Sequence, residues 1–98
     1  MTLHLRLLGN EFEIRLLDRG DPALENNMGA LMWSRQIMAI DKNMAADQVF
    51  STILHEIIEG LGVALDLGLS HPQISGMEAG LFAIFRDNGV DLSPLLHE

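Results

Sequence analysis

The hydrophobic period of this chain changes once, near Ala45, and that change constrains the fold more than any other feature. Upstream, apolar residues alternate with polar ones: Leu3, Leu5 and Leu7 against Thr2, His4 and Arg6, then Phe12, Ile14 and Leu16 against Glu11, Glu13 and Arg15. A period of two is that of a strand with one buried face. Downstream, Phe50, Ile53, Leu54, Ile57, Leu61 and Leu65 recur every three or four residues, the stripe of an amphipathic helix. Strands followed by helices, rather than alternating with them, predict an α+β domain: a small antiparallel sheet of three to four strands packed on two antiparallel helices.

The β-rich part, residues 1–41, divides further. Gly9-Asn10 sits between the first two alternating runs and suits a two-residue hairpin turn. That turn pairs Leu7 with Phe12, Leu5 with Ile14 and Leu3 with Leu16 on one face. On the other it pairs Arg6 with Glu13 and sets His4, read as a plain surface residue, opposite Arg15. Residues 18–27 are charged and turn-rich, a loop. Residues 28–33 and 36–40 read as a second hairpin. The nearly unbroken apolar run at 37–40 predicts a strand covered on at least one face and flanked on both edges. Trp33 and the methionines read as core filling.

After a connector at 41–44, the motif helix spans 45–67, with Asp47 at its positive end and Gly68 as its C-cap. Gly60 and Gly62 each weaken it by about 1 kcal/mol relative to Ala, a cost that close approach of another element would explain. Ser70 or His71 precedes Pro72, which opens a second helix over 72–88 that Gly89 ends. Its apolar face is Ile74, Met77, Leu81, Phe82 and Phe85. Residues 89–98 form a tail whose leucines pack back on the domain, with His97 in solvent. The short connection makes the two helices antiparallel neighbours. Ninety-eight residues without repeat or linker make one domain, 1–98.

Composition excludes several functions. There is no cysteine, so a disulfide scaffold, a thiolate metal site and a cysteine nucleophile are all ruled out. A formal net charge of −8 repels phosphate backbones and argues against nucleic acid as a partner. No apolar run approaches the ~18–20 residues of a membrane span, and the N-terminus alternates instead of forming an apolar targeting segment. A cytoplasmic protein is expected.

Residues 51–60, Ser-Thr-Ile-Leu-His-Glu-Ile-Ile-Glu-Gly, carry the spacing of a chemical site. His55 and Glu59 are four apart and stack on one helix face, roughly 5–6 Å apart at Cβ, where two side chains can grip one metal ion. Most such pairs are solvated surface residues. Glu78 weighs against that simpler account, because it lies inside the apolar face of the second helix, where a carboxylate is costly unless paired or metal-bound. Antiparallel helices point Glu78 towards His55 and Glu59.

With these stretches in hand, a resemblance is visible. Residues 36–41, the Ser51-to-Glu59 run, and Glu78-Ala-Gly-Leu-Phe-Ala-Ile-Phe-Arg-Asp-Asn88 resemble the small zincin-like proteins, minimal His-Glu-x-x-His metallopeptidase-type domains often encoded by phages and prophages. The resemblance implies a sheet beside an active-site helix with a second helix behind. It also implies His55 as a metal ligand, Glu56 as catalytic general base and Glu78 as third ligand. Glu59 stands where the family has its second His, which makes the motif degenerate.

One imidazole and two carboxylates, from His55, Glu59 and Glu78, form an oxygen-rich set. Zinc accepts it, and Mn²⁺ or Fe²⁺ fit it as alternatives. Two anionic ligands also cancel the ion's charge and weaken its power to acidify water. The expectation is therefore a weak or inactive metal-site protein that serves as a binding or regulatory module for a protein or peptide partner. The alternatives are a metal-dependent peptidase that uses Glu56 as base, with the edge strand near 36–40 holding substrate, and a small structural or dimerisation protein with no metal site.

Overall fold

The first two strands, β1 (Leu3–Leu7) and β2 (Asn10–Leu17), form the hairpin that the alternation predicts, in a computed structural model that describes residues 2–98. Its register is two residues away from the expected one: Leu5 faces Phe12, Leu3 faces Ile14, and His4 faces Glu13 instead of Arg15. The turn is Leu8-Gly9, not Gly9-Asn10. Both residues have positive φ, 51° and 81°, as the hairpin turn whose twist matches its strands requires. A two-residue slip keeps every side chain on its face, so Leu5, Leu7, Phe12 and Ile14 are buried as the pattern demands. Leu16 loses its expected partner Leu3 and is exposed.

The sheet is mixed rather than antiparallel, and it has five strands where three or four were expected. β3 (Gly29–Met32) pairs antiparallel with β4 (Ile37–Asp41), and β4 lies parallel to β2. The short β5 (Leu96–His97), from the expected tail, adds to β1, giving the order β3-β4-β2-β1-β5. Composition explains why β4 lies inside: its run Ile-Met-Ala-Ile-Asp is buried at all five positions and needs neighbours on both edges. The edge falls to β3, whose residues are half-buried. The 18–27 segment is more than a loop. A short 3-10 turn at Pro22–Leu24 packs on β4, and Leu24 is fully buried.

Helix α1 (Ala46–Ala64) lies on the sheet through Phe50, Ile53 and Ile57, which join Leu5, Ile14, Met38 and Ile40 in the main core. Its other side, Leu54 and Ile58, packs with Ile74 and Phe82 of α2 (His71–Asp87). The buried band is thus wider than the predicted stripe, whose end, Leu65, is exposed. A Cβ on Gly60 would lie 2.6 Å from Leu31 Cδ2, so the glycine permits the close approach of β3. Helix α1 stops earlier than expected. Asp66, at φ 53°, takes the left-handed C-terminal position expected of Gly68, and the Leu67 N–H donates to the Gly62 carbonyl.

Helix α2 opens with a capping box between Ser70 and Gln73, which places His71, not Pro72, first. Gly89 ends it as predicted, at φ 65°. Gly62 meets Leu69 at one end of the pair and Ser51 meets Glu78 at the other, so the helices run antiparallel. Met77, expected on the packed face, is exposed. Among the described residues no helix is long and apolar enough to cross a membrane.

Candidate metal centre

Helix α1 supplies three of the residues singled out in the sequence. His55, Glu56 and Glu59 each present a possible ligand atom, and these atoms all lie within 4.8 Å of one another. They line one wall of an open cleft of about 660 Å³, whose other walls are β3, through Gly29 to Leu31, and the start of α2, through His71 and Glu78.

Glu78 reaches across from α2 to α1. Its Oε1 lies 2.6 Å from His55 Nδ1, and its Oε2 accepts from Ser51 Oγ at 2.5 Å. A carboxylate only accepts, so Nδ1 carries a proton, and in the neutral imidazole the Nε2 lone pair is the one left for a ligand. That nitrogen points to the Glu59 side, 3.6 Å from Oε2. A carboxylate that fixes the tautomer and orientation of a histidine is the usual outer partner of a metal-ligating imidazole. Both oxygens of Glu78, which the resemblance implied as a third ligand, are engaged by protein donors, and Glu78 lies outside the 4.8 Å group.

Glu56 sits one residue round the helix from His55 and turns towards β3. It is 6% exposed. Gly29 makes room for it: a Cβ there would lie 3.2 Å from Glu56 Oε1 and 2.7 Å from Thr52 Cγ2. Burial first, and then the charges of Glu59 and Glu78 against the opposing effect of His55, push the Glu56 pKa up to about 7. A carboxylate desolvated to this degree favours a proton or a neighbouring cation. The donor set of this cluster, an oriented imidazole nitrogen and two carboxylates, fits a divalent cation.

His71 is the first residue of α2. The structure puts its ring centre 5.6 Å from that of His55, inside the cleft. A signal for this was present: His71 lies seven residues, two helical turns, before Glu78, so both occupy the α2 face that meets α1. The edge-strand assignment is corrected as well. β4, which contains most of 36–40, is interior, and the strand that borders the cleft at the sheet edge is β3.

The remaining histidines lie elsewhere. His97 is exposed, as expected; it lies 2.9 Å from Glu11 Oε1, and its ring centre is 6.3 Å from that of His4. No protein-family model, curated protein or solved structure was found to match this chain.

Proposed function

We propose that the cleft is the site of a metal-dependent hydrolase of the zincin-like type that acts on a peptide bond. Glu56 carries this reading: it is 6% exposed, burial and its acidic neighbours push its pKa up to about 7, and it stands beside two residues with ligand atoms within 4.8 Å. A group poised near neutrality can take a proton from water and return it to a leaving amine. His55, oriented by Glu78, and Glu59 hold the ion; when bound, zinc, or Mn²⁺ or Fe²⁺ in its place, polarises a carbonyl and acidifies water. Among the described residues β3 pairs with β4 alone at the sheet edge, so an extended peptide can add to its other side as a further strand and lie beside Glu56.

The second reading is a silent binding or regulatory module in which the same edge holds a peptide without turnover. Glu59 favours it, because an anionic ligand in place of a neutral imidazole weakens the ion as a Lewis acid. The nearness of His71 moves the balance towards chemistry, since the cleft is not short of a second imidazole. Turnover of an unstructured peptide library, with Zn²⁺, Mn²⁺ or Fe²⁺ supplied, separates the two. Metal-dependent cleavage that disappears in Glu56→Gln is the expected result; peptide binding without cleavage leaves the module.

A further inference from the structure

We infer that His71 is a ligand of the same ion, so that the second imidazole that helix α1 lacks at Glu59 is supplied by the first residue of α2. This deepens the metal reading of the cleft and rests on it. The donor set becomes His55, His71 and Glu59, two imidazoles and one carboxylate, which is the set of many zinc hydrolases, with the carboxylate and one imidazole exchanged between helices.

Three observations converge on this. The ring centres of His55 and His71 are 5.6 Å apart, and their planes are tilted by 58°. Imidazoles that share one zinc ion at Zn–N distances of about 2.0–2.1 Å have ring centres about 5 Å apart at tetrahedral angles. Second, the backbone that carries His71 is held firmly. Ser70 Oγ accepts from the Gln73 N–H, Gln73 Oε1 accepts from the Ser70 N–H, and Pro72 follows directly. His71 lies outside the 4.8 Å group, but its side chain is exposed, so turning its ring the remaining way costs little. Third, Glu78 is not free to serve as third ligand, because Ser51 and His55 engage its two oxygens. Glu56, 6% exposed, lines the same cleft and offers a ligand atom within 4.8 Å of those of His55 and Glu59. Glu78 is then a positioning residue, and Glu56 remains beside the ion as the base.

The test is titration of the full chain, purified without a histidine tag, with Zn²⁺ by calorimetry and with Co²⁺ by visible absorption. His71→Ala is expected to lower Zn²⁺ affinity at least tenfold and to change the Co²⁺ spectrum. His97→Ala, a histidine outside the cleft, is expected to change neither. His71→Gln, which keeps a polar side chain at the helix start, is expected to behave as His71→Ala, which separates ligation from helix stability. Circular dichroism checks that each variant folds. If His71→Ala binds both ions as the unaltered chain does while His55→Ala loses them, His71 is no ligand and the inference falls, with the metal reading intact. No binding by the unaltered chain overturns both.

Discussion

The molecule brings histidine and glutamate together twice, and the two places behave differently. At the β1–β5 end, His97 meets Glu11 at 2.9 Å with both side chains well exposed, 42% and 48%. In the cleft, His55 meets Glu78 at 2.6 Å with side-chain exposures of 19% and 20%. In the exposed pair, the hydrogen bond from His97 holds the Glu11 carboxyl below its ordinary range. In the cleft, burial and neighbouring charge drive Glu56 the other way. The same residue types thus make a solvent-screened surface pair in one region and a desolvated group of neighbouring acids in the other. Water access, set by the apposition of α1, α2 and β3, decides which one becomes a candidate site.

The two regions differ most at Glu56. If the cleft is a hydrolase, Glu56→Gln lowers turnover by about 10²–10⁴-fold, while Glu11→Gln leaves it unchanged; assays of peptide cleavage at saturating metal check both.

Next in size is the pH dependence of stability without metal. The folded pKa of Glu56, about 7, lies above its ordinary 4.5, so folding favours the protonated acid. Its stabilising share is fully present below about pH 4.5 and is lost as pH rises to about 7, up to about 3 kcal/mol. Chelator-treated protein should therefore melt at lower temperature above neutrality than near pH 5, and Glu56→Gln should flatten that slope. Glu11 acts with the opposite sign: its pKa is lowered, so its contribution exists at neutral pH and fades on acidification. Thermal melts across pH, with and without the substitution, measure the difference.

A smaller effect is expected at Glu78. Glu78→Ala frees the His55 ring and removes the partner of Ser51, so metal affinity should fall by about 10–100-fold, the usual cost of losing an outer-sphere carboxylate. Glu11→Ala should leave the affinity unaltered, which calorimetry can show. Smallest of all is a change in the hairpin turn. Leu8 holds a left-handed conformation that costs a residue with a branched side chain about 1 kcal/mol. Leu8→Asn makes the favoured Asn-Gly turn and should add about 0.5–1 kcal/mol by denaturant titration, with metal affinity untouched.

How much of this was legible in the chain depends on how local its cause is. The β1–β2 hairpin, the motif helix and the second helix rest on nearest-neighbour patterns, and each is present, with its turn or its ends shifted by one to three residues. The hairpin register slipped because alternation looks the same after a shift of two, and both Leu8-Gly9 and Gly9-Asn10 offer a glycine. The parallel β2–β4 pairing and the two-residue β5 have no local signature. In the site, Glu78 stood out as a charge within an apolar stripe. The burial of Glu56 depends on Gly29 from a distant strand, which no helical pattern could reveal. His71 was legible in principle from its two-turn spacing to Glu78, once the helices are known to be antiparallel.

The most direct measurement is the metal content and zinc affinity of the full chain, made without a histidine tag, beside His55→Ala and His97→Ala. The account predicts one equivalent of divalent metal in the unaltered protein and in His97→Ala, and none in His55→Ala. Equal metal content in all three, or no binding in any, would contradict a metal centre in the cleft.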